Sequence, residues 1–325
     1  LATEMQRDPR VVIFGEDVAD CSKEENLENV KGKGGVFKVT HGLQSSFGST
    51  RVINTPIAEG NIVGRAIGMA MRGLKPVVEI QFFDYIWPAF HQIRNELATM
   101  LYRSNGRWAA PVVIRVTYGG YLRGGGPYHS QTGATLFAHT PGLRVVLPST
   151  AEDANGLLRT AIRCDDPVIF LEHRELLTAK TAVPEQDYEI EFGKASIMRE
   201  GRDLTVVAVA LMCHRAIEAA ERLEPEGVSI EIVDPRSISP LDTETILQSV
   251  AKTGRLLIVD EAFGPCGVGA EIAARVADSG FDDLDAPIRR LTGAFTPTPY
   301  SPTLEKAVVP QVEDIVTAIH NLMNE

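Results

Sequence analysis

A carboxylate at the head of a glycine-spaced helix and a histidine behind a run of glycines are the residues of this chain best placed by type and spacing for proton chemistry. Glu59 lies in Arg51-Val-Ile-Asn-Thr-Pro-Ile-Ala-Glu-Gly-Asn-Ile-Val-Gly64, where an apolar run stops at Pro56 and small residues recur at Gly60, Gly64 and Gly68. Pro56 cannot donate a ladder hydrogen bond, so the acid is aimed from a strand-to-helix turn, and the glycines give the helix one flat face. A carboxyl held there can store and pass a proton. It can equally do no more than complement the positive end of its own helix.

His129 ends Gly119-Gly-Tyr-Leu-Arg-Gly-Gly-Gly-Pro-Tyr-His-Ser-Gln131, which follows an apolar run. Glycine in that density lets a loop pass close to a ligand with unusual φ. It is not a phosphate loop, because G-x-x-x-x-G-K-[ST] is absent. The histidine reads either as a satisfied structural residue or as a catalytic one placed where ligands gather in α/β sheets. Gly264-Pro-Cys-Gly-Val-Gly-Ala-Glu271 looks superficially like a dinucleotide turn, but its glycines fall in the wrong order, so close helix packing is the simpler reading. In Gln81-Phe-Phe-Asp-Tyr-Ile-Trp-Pro-Ala-Phe90 the aromatic residues suit a core, whereas Gln81 and Tyr85 bring polar groups to a strand end.

Positioning such residues needs parallel strands with helices between them. Short β-branched runs at Val11–Phe14, Val52–Asn54, Val77–Gln81, Val112–Val116, Val145–Leu147 and Val168–Leu171 have the look of buried parallel strands. Helices are predicted at Glu59–Met71, Tyr85–Tyr102 and Ala151–Arg163, the second capped by Asp84 and ended near Asn105-Gly106. A polar, acidic stretch from Leu177 to Gly201 reads as a linker. A second set follows: strands at Leu204–Ala210, Ser229–Val233, Leu256–Val259 and Ile288–Leu291, with helices at Arg215–Leu223, Asp242–Ala251 and Ala270–Ala277. The expected fold is α/β, with two doubly wound domains at 1–178 and 202–325 and a linker at 179–201.

At 325 residues the chain is long enough for two domains, and 44% hydrophobic residues can build their cores. Lys and Arg total 32 against 43 Asp and Glu, a net charge of −11, which disfavours nucleic acid and anionic membranes and suits a basic protein partner. Cys21, Cys164, Cys213 and Cys266 lie far apart, arguing against disulfides or a zinc site and for a reducing compartment. No apolar run is long enough to span a membrane. Leu1–Arg7 reads as the last turns of a helix, so further chain is expected upstream. Cys21 to Lys33 reads as a solvated insertion.

Taken together, Phe14-Gly-Glu-Asp-Val18, Gly34-Gly-Val-Phe-Lys38, Asn54-Thr-Pro-Ile-Ala-Glu59, Glu79-Ile-Gln-Phe-Phe-Asp-Tyr-Ile86, Tyr128-His-Ser-Gln131 and Asp165-Asp-Pro-Val-Ile-Phe-Leu-Glu172 form a pattern. With Ile232-Val-Asp-Pro-Arg-Ser-Ile-Ser-Pro-Leu241 and Thr296-Pro-Thr-Pro-Tyr300, it resembles, over nearly the whole chain, the beta subunit of the decarboxylating first component of 2-oxo acid dehydrogenase complexes. The resemblance implies a transketolase-like pyrimidine-binding domain followed by a transketolase C-terminal-like domain. It implies thiamine diphosphate shared with an alpha subunit, and a lipoyl group on the second component as acceptor.

By the same resemblance, Glu59 would hydrogen-bond the aminopyrimidine N1′ of the cofactor, a role that desolvation suits by raising a carboxyl pKa toward that of the ring. His129 would assist reductive acylation of the lipoyl group, and Ile57, Gln81 and Tyr85 would contact the pyrimidine. A Gly-Asp-Gly signature followed by an Asn pair, with which the family's alpha chain binds Mg²⁺ and diphosphate, is not found here, so Mg²⁺ is expected mainly on the alpha subunit and activity only in its presence. A structural K⁺ is implied at oxygens of Val113, Ala161 and Cys164 and the carboxylate of Asp166.

The implied assembly is an α2β2 heterotetramer that binds the second-component acyltransferase through its subunit-binding and lipoyl domains, in a bacterial cytoplasm or, in a eukaryote, a mitochondrial matrix. Branched-chain 2-oxo acids are slightly preferred to pyruvate from the wording around Tyr85. Half of a transketolase-like or deoxyxylulose-phosphate-synthase-like enzyme is the rival enzyme reading, and a non-catalytic scaffold is the rival of another class.

Overall fold

The structure, a computed structural model, describes residues 1–30 and 32–325. Two sheets carry the chain. Strands β1 (Val11–Gly15), β2 (Val52–Asn54), β3 (Lys75–Ile80), β4 (Val113–Tyr118), β5 (Arg144–Val146) and β6 (Val168–His173) are mutually parallel. They lie in the order β5-β6-β4-β3-β1-β2. The second sheet is built from β7 (Ser196–Arg199), β8 (Leu204–Ala208), β9 (Ile230–Asp234), β11 (Leu256–Phe263) and β12 (Arg289–Gly293), in the order β12-β11-β8-β9-β7. Only β7 runs antiparallel there. The short β10 (Ser237–Ser239), from the second half of the chain, pairs antiparallel with β5 and becomes an edge strand of the first sheet.

Both faces of each sheet are covered, as the unbroken apolar strands predict. Along β1 and β3, Val12, Phe14, Val78 and Ile80 pack with Ile62, Val63 and Ala66 of the helix Glu59–Met71. Val11, Ile13 and Val77 point the other way, toward Leu157, Ala161 and Ile162 of the helix Ala151–Arg163. This alternation is the period of two that a pleated strand imposes. The second sheet is sandwiched likewise, with Leu211–Leu223 and Val312–Met323 on one face and Thr243–Thr253 and Val268–Ser279 on the other.

Some elements depart from the sequence expectation. The predicted helix Tyr85–Tyr102 is broken into 3₁₀ turns at Phe83–Tyr85 and Trp87–Ala89, a π-helical stretch at Gln92–Leu97 and a short helix at Met100–Arg103. Asp84 does not cap it; its carboxylate instead accepts the Gln131 N–H at 3.3 Å. Ser196–Arg199, inside the stretch read as a linker, forms the edge strand β7. Glu24–Asn29 in the expected insertion is a 3₁₀ turn, and Lys33 beyond it pairs with Asp17 at 2.7 Å; Lys31 of that insertion lies outside the described residues. Among the described residues, no helix is long and apolar enough to cross a membrane.

Candidate active site

In a sheet of order 5-6-4-3-1-2 the chain moves from β1 to one side and then crosses back to β3 on the other, so a crevice opens at the carboxyl ends of β1 and β3. Ligands of open α/β sheets gather at such switch points. Glu16 directly follows β1, the Pro56–Glu59 turn follows β2, Gln81 follows β3 and the glycine loop to His129 follows β4. The sequence separates these segments widely; the parallel sheet brings their starting points to one edge.

The turn after β2 is fixed by its neighbours. Thr55 N–H donates to Gly15 O at 2.8 Å, and the Asn54 side chain accepts the Ala19 N–H at 2.7 Å. Glu59 is therefore delivered, half-buried, as the first residue of its helix, with no side chain of Ala58 capping that end. Part of the helix's glycine face is used within the chain: a Cβ on Gly60 would come to 3.0 Å from the Pro88 carbonyl and one on Gly64 to 3.6 Å from Gln92, whereas one on Gly68 would meet nothing within 4 Å. Ile57 stands 75% exposed at the rim, large for an apolar side chain in water.

Glu16, which has no role in the sequence pattern beyond its motif Phe14-Gly-Glu-Asp-Val18, is the carboxyl neighbour of Glu59. Burial pushes its pKa up first, and the negative charges of Glu59 and Asp17 push it further. The signal available in the sequence was its place immediately after a strand. Gln81 donates its amide N–H to the Glu16 carbonyl at 3.2 Å, tying the ends of β3 and β1 together.

Near enough to these acids for their charges to act on Tyr85, Tyr85 and His129 meet. The Tyr85 hydroxyl and His129 Nε2 are 2.6 Å apart, and His129 Nδ1 lies 3.4 Å from the Gly125 carbonyl. Nδ1 facing a carbonyl can only donate to it, which leaves Nε2 for the Tyr85 hydroxyl. Tyr85 keeps its proton, because burial and then the charges of Asp84, Glu16 and Glu59 raise its pKa. The rings of Phe82 and Tyr85 meet the imidazole edge-on at 4.7 and 5.5 Å, holding its plane. The arrangement thus has an acid pair, a tyrosine–histidine pair and an exposed apolar Ile57. It can share a proton with a heteroaromatic nitrogen and offer an oriented histidine to a second reactant.

The oxygens expected to hold K⁺ are engaged otherwise. Lys75 Nζ donates to the carbonyls of Ile162, Arg163 and Cys164 at 3.1, 2.7 and 3.2 Å, satisfying the C-terminal end of Ala151–Arg163 with an internal cation. Cys164 Sγ donates to Ala161 O at 3.3 Å, and the Asp166 carboxylate pairs with Arg144 at 2.7 Å. Val113 sits in the ladder between β3 and β6. Among the described residues, no group of three or more His, Cys, Asp or Glu could hold a metal.

Residues 1–180 match the transketolase pyrimidine-binding domain, and residues 193–315 match the transketolase C-terminal domain. The chain is 45% identical to the 2-oxoisovalerate dehydrogenase subunit beta of Bacillus subtilis (strain 168), covering 98% of this chain and 94% of that one. It is 44% identical to the acetoin:2,6-dichlorophenolindophenol oxidoreductase subunit beta of that organism (99% and 94% covered). It is 41% identical to the pyruvate dehydrogenase E1 component subunit beta there (99% and 95%). Among solved structures, a split-gene transketolase described as an inactive beta4 tetramer superposes with a TM-score of 0.77 at 24% identity, covering 99% of this chain and 95% of the other, a likeness of fold.

Proposed function

We propose a function from one premise: the chain belongs to the family of dehydrogenase beta subunits built from a transketolase pyrimidine-binding domain and a transketolase C-terminal domain. It serves as the beta subunit of a 2-oxo acid dehydrogenase first component, an oxidoreductase that works with an alpha subunit and uses thiamine diphosphate. The observation that carries this reading is the Glu59–Glu16 acid pair set beside the Tyr85–His129 pair at the β1/β3 crevice.

The residues present suit the pyrimidine half of that cofactor: a half-buried carboxyl at a helix start, a second acid with a raised pKa, and an exposed apolar Ile57 waiting to be covered. Bound thiamine diphosphate supplies the electron sink for loss of carbon dioxide from a 2-oxo acid. Glu59 would share a proton with the pyrimidine N1′, beside Glu16, whose pKa is raised by burial and by the charges of Glu59 and Asp17. Ile57 and Gln81 shape the wall on that side, and Gln81 also fastens Glu16. His129, held by Tyr85 at Nε2 and by the Gly125 carbonyl at Nδ1, is the residue that assists the incoming acceptor. Diphosphate and Mg²⁺ fall to the alpha subunit. We propose an α2β2 assembly that passes the acyl group to the lipoyl domain of an acyltransferase.

Acetoin is the second substrate reading, favoured by the 44% identity to the acetoin oxidoreductase beta subunit. The test uses the chain reconstituted with its alpha subunit. Glu59→Gln should slow substrate-dependent reduction of an artificial acceptor by about a hundredfold or more, the range of a lost acid–base group. Equal rates for variant and parent would overturn the mechanism. Branched-chain 2-oxo acids, pyruvate and acetoin compared side by side assign the substrate.

A further inference from the structure

The glycine loop that carries His129 belongs to the first half of the chain, yet the groups that hold its outgoing arm come from the second. Tyr121 N–H donates to Glu305 Oε1 at 2.7 Å, across 184 residues of sequence. The Tyr121 hydroxyl donates to Glu261 Oε2 at 3.3 Å, and the Arg215 guanidinium lies 5.3 Å from the centre of its ring. Glu261 in turn pairs with His173 Nε2 at 2.9 Å, at the end of β6. The Tyr300 ring lies so close to Gly126 that a Cβ there would be 2.5 Å away.

Glycine is required where this grip is tightest. A Cβ on Gly119, at φ +88°, would stand 2.7 Å from His173 Nε2, and one on Gly120 would collide with the Glu305 carboxylate. Tyr121 itself has φ +72°, a conformation that disfavours a side-chain-bearing residue and persists only where the surroundings impose it. Glu305 is 5% exposed, and its Oε1 is the acceptor that fixes the backbone at that strained residue. Gly119 N–H closes the base of the loop on Gln131 O at 3.3 Å, so displacement of the Tyr121 arm moves the arm that bears His129.

We infer that Glu305 is a positioning residue for His129: by holding the Tyr121 backbone it sets where the imidazole stands, making the second half of the chain part of the machinery for acyl transfer. The inference rests on the reading of His129 as the residue that meets the acyl acceptor.

The experiment uses the holoenzyme with its alpha subunit, cofactor and lipoylated second component. Acyl transfer and artificial-acceptor reduction are measured for Glu305→Ala, Glu305→Gln and His129→Ala, and for Glu305→Ala combined with His129→Ala. Glu305→Ala should lower acyl transfer by about tenfold, within the range for ångström-scale misplacement, while changing artificial-acceptor reduction by less than about twofold. Glu305→Gln, which keeps Oε1 as an acceptor, should restore acyl transfer to within about twofold. In the His129→Ala background Glu305→Ala should cause no further loss. A parallel readout is trypsin cleavage after the exposed Arg123, which should accelerate about tenfold in Glu305→Ala alone. Unchanged acyl transfer and cleavage in Glu305→Ala would overturn the inference, as would equal losses in both activities that persist in the His129→Ala background. If His129→Ala itself leaves acyl transfer intact, the underlying reading of His129 fails, and the cleavage readout alone still decides whether Glu305 holds the loop.

Discussion

Arg115 offers the sharpest test of how the site is supported from below. Its guanidinium, 1% exposed on β4, donates at 2.9 and 2.5 Å to both oxygens of Glu172 on β6 and at 2.8 Å to Glu79 on β3. These are the strands from whose ends Gln81 and the His129 loop depart. Arg115→Met keeps roughly the bulk and removes the only cation of the triad, leaving two facing carboxyls. Breaking a buried pair by removing one partner costs about 3 to 5 kcal/mol. For 325 residues the unfolding entropy is about 0.7 kcal/mol per kelvin, so the melting midpoint should fall by about 4 to 7 °C.

The pH dependence has a definite sign. Burial already raises the Glu79 pKa against the opposing pull of Arg115, and losing that pull raises it further. A raised carboxyl contributes stability that is fully present below its ordinary 4.5 and is lost as pH climbs through the folded value. The deficit of the variant should therefore be smaller near pH 5 than near pH 8. Thermal unfolding followed by circular dichroism at both pH values measures it. A midpoint within about 1 °C of the parent, or a deficit independent of pH, would refute the reasoning. The triple variant Glu79→Gln, Arg115→Met, Glu172→Gln should recover most of the loss, because no uncompensated charge remains.

Tyr85→Phe removes the hydroxyl from His129 Nε2 and should slow acyl transfer about three- to tenfold, the worth of one hydrogen bond, and by more than it slows artificial-acceptor reduction; parallel assays of the two activities check it. Lys75→Met strips the ammonium from the three carbonyls ending Ala151–Arg163 and should destabilise the fold by about 2 kcal/mol, seen in chemical denaturation. Exchanging KCl for NaCl at equal ionic strength should leave the parent's midpoint where it was. Asp234 is fully buried, and desolvation lifts its pKa from 3.8 to about 7, so it contributes stability present below 3.8 and lost as pH rises through about 7. Asp234→Asn should therefore flatten the fall in melting midpoint between pH 5 and pH 8.

The local pattern determined most of the scaffold. Val52–Asn54, Glu59–Met71 and Ala151–Arg163 occur with the predicted limits, because β-branched runs and apolar helical periodicity coincide there with sharp boundaries at Pro56 and at the Thr150 cap, which accepts the Asp153 N–H at 3.0 Å. The places of Glu59 and His129, each on a segment that follows a strand, were likewise legible. The helix read over Tyr85–Tyr102 failed because packing outweighs propensity there: Pro88 presses its carbonyl against Gly60, Gly142 packs on the Ala98 carbonyl, and the Asp84 carboxylate is taken by Gln131. Val312–Met323 went unread even though Gln311 and Asp314 form a capping box at its start, a local signal that was present. The partnership of Glu16 with Glu59, the ammonium of Lys75 under a distant helix end and the grip of Glu305 on Tyr121 had no local signal. Each joins residues far apart in sequence, and a carboxylate or ammonium carries no mark of its partner until parallel strands and a second sheet bring the two together.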